Sequence, residues 1–320
     1  MDFQILISNL TNPTLLFFVL GIVATLLKSD LEIPSTTSKF ISLYLLFAIG
    51  FKGGNELAHS QFSNEILFII VLGLIFASVV PLYSFFILKR KVSISDAGAV
   101  SAAYGSVSAV TFVAAVTFLE AQSIDYGGHM VAVMALMEAP AIIVGVILMM
   151  QYDKNERGNS SLKDVIHHSF TNGSVLLILG SLLIGLIADM KQAEGIKPFT
   201  NDIFKGFLAI FLLEMGMVTA KRFSAFSKYG LFLSLFAVIV PAINGILGGL
   251  ASTFVTDNIG DRMIFATLVA SASYIAVPAA MRIAAPKADP GLYIPMALGL
   301  TFPFNITIGI PIYYYLVSSI

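Results

Sequence analysis

Apolar residues in this chain fall in long unbroken runs, without the alternation of a strand or the one-sided stripe of a soluble helix. Runs of around 20 apolar residues recur along the whole length, each long enough to cross a hydrocarbon core of about 30 Å. Charged or Gly/Pro/Asn-rich breaks divide them into ten expected spans, at about 13–28, 38–58, 64–88, 96–119 and 127–151, then 173–190, 202–221, 229–253, 261–284 and 291–317. Between the two sets of five lies the most polar stretch of the chain, Tyr152 to Asn172, carrying Asp153, Lys154, Glu156, Arg157, Lys163 and Asp164. The pattern predicts an all-α membrane protein: a first five-helix repeat over 1–151, a linker over 152–172 and a second five-helix repeat over 173–320.

Composition excludes an ordinary water-soluble domain. Hydrophobic residues make up 57% of the chain and charged residues 12%, against roughly 25% charged in soluble proteins; mean hydropathy is +0.90. With no cysteine, a disulfide framework, a thiolate nucleophile and a Cys-based metal site are all ruled out. No basic cluster exceeds Lys89, Arg90 and Lys91, so nucleic acid is not an expected partner. No cleavable signal peptide is expected, because the first apolar run, Pro13 to Leu27, ends in Lys28 rather than at a small-residue cleavage site. Tryptophan is absent, which leaves tyrosines such as Tyr313, Tyr314 and Tyr315 to anchor the interface.

Charge placement predicts an orientation. Thirteen of the eighteen Lys and Arg residues flank the linker side, and only Lys52, Lys191, Lys197, Lys205 and Arg262 fall on the other. The positive-inside rule then puts the linker in the cytoplasm and both termini outside the cell membrane.

Five spans per half is odd, so a duplication must be inverted. Gly105-Ser106-Val107-Ser108-Ala109-Val110-Thr111-Phe112-Val113-Ala114-Ala115 aligns without gaps to Ala270-Ser271-Ala272-Ser273-Tyr274-Ile275-Ala276-Val277-Pro278-Ala279-Ala280. The same offset pairs Asp96 with Asp261, and nearby offsets pair Ile49-Gly50 with Met215-Gly216 and Pro140 with Pro303. Both Gly/Ala/Ser clusters fall at the middle of their spans, where inverted-repeat transporters interrupt helices to line a cavity. Breaks just before Ser106 and Ser271 would bring two half-helix N-termini together from opposite sides of the membrane. Their free N–H groups suit a small anion, and the free carbonyls of the preceding half-helices suit Na⁺. The competing reading is close helix packing through small residues; recurrence in both halves favours the site.

Polar residues at membrane depth add candidates. Glu138 lies mid-span before Pro140, which frees a backbone carbonyl, and a carboxylate there is a functional candidate by default. Thr301 and Asn305 flank Pro303 at the matching level of the tenth span, and with Glu138 and the serines they form a candidate cation and substrate cage. Packing is the alternative for Glu138. Glu214, in the seventh span, reads as structural. His59, His129, His167 and His168 lack metal-ligand spacing and are expected to be solvated or interfacial.

The stretch from Gly105 to Glu120, the segment Glu138-Ala139-Pro140, and Ser271-Ala272-Ser273 followed by Pro278 resemble the sodium-dependent bicarbonate transporter family. The resemblance runs through essentially the whole chain. It implies a fold akin to bile-acid symporters and Na⁺/H⁺ antiporters, with a core domain holding crossed helices and a gate domain moving against it. It also implies Na⁺-coupled bicarbonate uptake across the inner membrane, a homotrimer in lipid and, in some members, a cytosolic PII-like regulator. The bicarbonate site it implies comprises Gly105, Ser106, Val107, Ser108, Ser271, Ala272, Ser273 and Tyr274, with Ser108, Thr111, Glu138, Thr301 and Asn305 as Na⁺ candidates and no organic cofactor. Two features depart from the family pattern, which has an acid at the position of Tyr274 and a longer central linker; the short linker weighs against a PII-like partner.

Competing functions are symport of another small carboxylate or oxyanion, and proton-coupled antiport with Glu138 carrying the proton. A channel is a further alternative, against which the repeat with its breaks favours a carrier. An intramembrane enzyme finds no support, since the chain has no HExxH motif, no deep Asp pair and no embedded Ser/His pair.

Overall fold

The computed structural model describes residues 11–59, 63–152, 171–226 and 230–320, together with Lys163, Ile166 and His167. Most of the expected linker, His168 included, lies outside the described residues, as does Lys228. The described residues are mostly helical, with no strand among them. In chain order the helices are α1 (Pro13–Leu26), α2 (Ser35–His59), α3 (Asn64–Leu88), α4 (Ile94–Gly105), α5 (Ala109–Ala121), α6 (His129–Tyr152), α7 (Gly173–Ile187), α8 (Met190–Lys197), α9 (Phe204–Phe226), α10 (Gly230–Ser252), α11 (Ile259–Val269) and α12 (Ala276–Ala284). A final rod holds α13 (Pro290–Met296), α14 (Phe302–Phe304) and α15 (Ile310–Ser318), joined by π-helical turns at Ala297–Thr301 and Asn305–Gly309.

Among the described residues, six helical stretches are long and apolar enough to cross a membrane: Asn64–Leu88, Ile94–Ala121, His129–Tyr152, Lys191–Lys221, Gly230–Ser252 and Pro290–Ser318. This is a multi-pass membrane protein. Two of the expected spans are shorter, α1 with 14 residues and α7 with 15, or roughly 21–23 Å at 1.5 Å per residue. Each begins on an asparagine cap, Asn12 accepting from Thr14 N–H at 2.9 Å and Asn172 from Ser174 N–H at 3.0 Å. Each is closed by polar sequence, at Lys28-Ser29 and at Asp189.

Glycine sets how these short helices pack. A methyl group on Gly21 of α1 would lie 2.0 Å from the Leu213 carbonyl oxygen of α9, and one on Gly216 of α9 would lie 2.0 Å from that of Phe18 in α1. The same reciprocal approach joins Gly50 of α2 to Ile178 of α7, and Gly185 of α7 to Phe51 of α2. Backbones this close gain dispersion contacts that bulkier side chains would forbid. The four helices α1, α2, α7 and α9 thus form one group, with α2 also against α9.

The remaining helices surround the two interruptions. Helices α3, α4 and α6 pack mutually, α10 packs on α11, and α11 touches α5 and α15. The starts of α4 and α11 are built alike: Ser93 Oγ accepts from Asp96 N–H at 3.1 Å, and Asn258 Oδ1 from Asp261 N–H at 3.0 Å. Each aspartate then reaches the start of another helix. Asp96 Oδ1 accepts from Asp289 N–H at 2.8 Å ahead of α13, and Asp261 Oδ1 from Gly127 N–H at 2.7 Å ahead of α6.

Two expectations about the periphery are corrected. Tyr313 is not an interfacial anchor: it is buried, and its hydroxyl donates to Asn305 Oδ1 at 3.1 Å. His129 is not solvated. It is buried with Nε2 3.4 Å from Asp261 Oδ2, because the bend that delivers Gly127 to Asp261 brings the ring with it. His59 and His167 are exposed, as expected.

Candidate functional site

The helix that begins at Ile94 stops at Gly105 and resumes at Ala109, and the one that begins at Ile259 stops at Val269 and resumes at Ala276. Small residues permit both interruptions. A methyl group on Gly105 would fall 2.3 Å from Pro81 of α3, so only glycine lets α4 end there. The first half-helices end just before Ser106 and Ser271, but the second ones start later than those serines, at Ala109 and Ala276. Ser106 closes α4 instead of opening the next helix, its N–H bonded to the Ala102 carbonyl at 3.0 Å. Ser108 is the residue that caps α5, accepting from Thr111 N–H at 3.2 Å. The shift follows from cap chemistry: the serine hydroxyl that can reach back to a free N–H of the next turn sets the first residue.

The breaks are stitched to one another. Ser108 N–H donates to Ser271 Oγ at 2.9 Å, and Ser273 N–H donates to the Ala103 carbonyl at 2.8 Å. Ser271 Oγ in turn donates to the Leu268 carbonyl at 2.8 Å. Ser106, Ser108, Ser271, Ala272 and Ser273 are all buried, as is Val107. Among the described residues Ser106 Oγ has no hydrogen-bond partner, and the Tyr274 hydroxyl lies toward Ser108.

Glu138 joins this group. A cavity of only about 10 Å³ is lined by Val107, Ser108, Ala109, Ser273, Tyr274 and Ile275 from the breaks, by Glu138 of α6, and by Leu46 and Ser174. Its volume is about the least that holds one water molecule, so the junction is closed to anything larger. Glu138 is 8% exposed, and its Oε2 has no partner. An unpaired buried carboxylate oxygen is costly and invites a cation. The donors here are carboxylate, hydroxyl and carbonyl oxygens, which suit a hard cation such as Na⁺. No group of three or more His, Cys, Asp or Glu able to hold a metal occurs among the described residues.

The cage expected from sequence is divided. Thr301 and Asn305 do not line the Glu138 cavity. Thr301 Oγ1 donates to the Ala237 carbonyl at 2.7 Å and lies 2.8 Å from the Tyr104 hydroxyl. Asn305 Nδ2 donates to the Ala270 carbonyl at 2.8 Å. Through these bonds they hold α4, α10 and the end of α11 together. Nor are the terminal carbonyls all free, since those of Ala102, Ala103, Leu268 and Ala270 each accept a hydrogen bond. A carbonyl has a second lone pair, so cation contact at these atoms remains open. Thr111 contributes its N–H to Ser108. Glu214 is half-buried on α9 with Oε2 unpartnered, away from the breaks.

Sequence reasoning missed an ion-paired cluster at the end of α5 away from the breaks. Glu120, at the end of α5, reaches Lys52 of α2 at 3.3 Å and Lys205 of α9 at 3.0 Å. The available signal was that Lys52 and Lys205 are among the few basic residues the positive-inside pattern does not explain.

A model of the Na⁺-dependent bicarbonate transporter superfamily matches residues 13–318 of the chain. No curated protein matches it.

Proposed function

The chain belongs to the Na⁺-dependent bicarbonate transporter superfamily, and from that premise we propose that it is a secondary transporter that takes up bicarbonate together with Na⁺ by alternating access. The observation that carries this reading is the closed junction where Glu138, with an unpartnered carboxylate oxygen, meets Ser108, Ser273 and Tyr274. Bicarbonate would take donors from Ser106, Ser108, Ser271, Ser273 and the backbone N–H groups beside them, at the N-termini of α5 and α12. Na⁺ would take Glu138 and neighbouring oxygens. A junction too small for bicarbonate supports an occluded or resting state that must open alternately to the two sides.

Coupling has an electrical rationale. Importing a monoanion against an inside-negative potential costs about 2.3 kcal/mol per 100 mV, and one Na⁺ moving with it cancels that term. The inward Na⁺ gradient is then left to drive accumulation.

The same proposal includes ten spans in two inverted halves, with the linker in the cytoplasm and both termini outside. Its support is the reciprocity of contacts. Gly21 and Gly216 join α1 to α9 as Gly185 and Gly50 join α7 to α2, and Asp96 holds the start of α13 as Asp261 holds the start of α6. Exposed Leu67, Phe68 and Ile75 on α3, with Ile239 and Ile243 on α10, suit contact with lipid.

The test is labelled bicarbonate uptake by purified protein in liposomes, with and without an inward Na⁺ gradient. Uptake should require Na⁺, and Glu138→Gln, confirmed as folded by size-exclusion chromatography, should raise the Na⁺ concentration for half-activation about tenfold or more. Uptake driven equally well by a proton gradient without Na⁺ would favour proton coupling through Glu138. Strong competition by another small carboxylate would reassign the cargo.

A further inference from the structure

The ion-paired cluster that sequence reasoning missed borders a cavity of about 230 Å³, far larger than the closed junction. Its wall is formed by Ile49 and Lys52 of α2, Val113, Val116 and Glu120 of α5, and Lys205 of α9. Positions 109, 112 or 113, 116 and 120 share one face of a helix. That face of α5 therefore runs unbroken from Ala109, which lines the closed junction, to Glu120 at the cavity mouth. The distance from Ser108 to Glu120 along the helix is about 18 Å. Helix α2 runs beside it, with Leu46 at the junction and Lys52 at the mouth.

We propose that this cavity is an entry vestibule for the oxyanion, on the face opposite the linker, in which Lys52 and Lys205 collect the anion and Glu120 holds their place when it is absent. The inference rests on the bicarbonate reading and adds to it a second, outer binding site.

Charge is the first argument. Only five Lys and Arg residues are expected on this face, and three of them, Lys52, Lys197 and Lys205, line this cavity and the one adjoining it. The vestibule itself has two ammonium groups against one carboxylate, while Glu56, 4.0 Å from Lys52, and Glu194 face the adjoining cavity with Lys197. A concave wall with low-dielectric sides focuses such a field and raises the local concentration of an anion.

Weak pairing is the second. The side chains of Lys52, Glu120 and Lys205 are 33%, 35% and 64% exposed, and ion pairs this open contribute little stability. An arriving oxyanion can displace one carboxylate oxygen from a lysine without a large barrier. The third argument is placement. Glu120 belongs to the helix that leaves the junction, whereas Lys52 and Lys205 belong to the group formed by α1, α2, α7 and α9. The two ion pairs cross the seam between that group and the helices of the breaks. Occupancy of the lysines by an anion frees Glu120 and loosens the seam on this side only.

The cysteine-free chain allows a test that does not depend on the cargo. In Val116→Cys, reconstituted in liposomes, an anionic methanethiosulfonate applied from the face opposite the linker should react about tenfold faster than a cationic one of similar size. Adding Lys205→Met, or Lys52→Met with Lys205→Met, should abolish the preference, and Lys205→Arg should keep it. Equal reaction rates, a preference that survives loss of the lysines, or no labelling from that face would each overturn the vestibule. In uptake assays Lys205→Met should lower kcat/KM about tenfold at unchanged kcat, with the difference shrinking at high ionic strength. Failure of unmodified protein to carry bicarbonate would overturn the cargo reading instead, and would leave the labelling result standing.

Discussion

Between α4 and α5 the helix is interrupted only from Ser106 to Ser108, whereas between α11 and α12 it is interrupted from Ala270 to Ile275. The shorter break is tightly finished: Ser108 caps α5, and Phe112 N–H returns to the Ser108 carbonyl at 3.0 Å. The longer one is open. Ile275 offers α12 no side-chain cap, Pro278 in its first turn has no N–H, and the one side-chain bond there, from Val277 N–H to Ser273 Oγ, is long at 3.4 Å. What restrains the longer break comes from outside it, through Ser271 to Ser108 and through Asn305 to Ala270. Two segments that align without a gap have thus taken different work. One is an arm finished by its own cap, and the other leaves the start of α12 without one, as the proposed anion site needs.

Filling the junction is the severest challenge to this contrast. Ser271 is 1% exposed and its Oγ takes the Ser108 N–H, so Ser271→Leu should abolish uptake, by about 100-fold or more, in protein that still elutes as a folded species. Normal uptake by that variant would mean that the anion binds elsewhere.

Releasing the outside restraint should have an intermediate effect. Asn305→Leu removes the donor to Ala270 and the acceptor for Tyr313, and is expected to destabilise by about 1–3 kcal/mol, read as a lowered Tm in detergent. An unshifted Tm would show that the longer break does not depend on Asn305.

The smallest change is the most informative about the anion. Among the described residues Ser106 Oγ has no partner, so Ser106→Ala should leave Tm within the scatter of a neutral substitution, roughly 0.5 kcal/mol. A weakened bicarbonate affinity, of about fivefold, measured in the same protein would then assign that hydroxyl to the ligand. Unchanged affinity would make Ser106 a spacer in the capped arm.

Much of this layout was legible along the chain because its causes are local. The expected spans fall within a few residues of the observed helices from Asn64–Leu88 to Gly230–Ser252, since a run of apolar residues needs no partner to declare itself. Both interruptions were expected from small-residue clusters, and the pairing of Asp96 with Asp261 reappears as two helix starts built alike. The exact first residue of α5 was not legible. It depends on which of two nearby serines can reach a free N–H, a matter of backbone geometry rather than composition.

Depth in the membrane can be counted from sequence, but rotation about a helix axis cannot, because successive residues turn by about 100°. For that reason Glu138, Thr301 and Asn305 looked like one cage at a common level, while the fold turns Glu138 toward Ser108 and Ser273, and turns Thr301 and Asn305 toward Ala237 and Ala270. The same limit hid Lys52, Glu120 and Lys205, which are distant in sequence and meet only when α2, α5 and α9 pack. Sequence by itself determined the membrane as solvent, the positions of the helices and the two places where they break. Tertiary structure alone decided which polar groups face one another, because that depends on how already formed helices are turned and brought together.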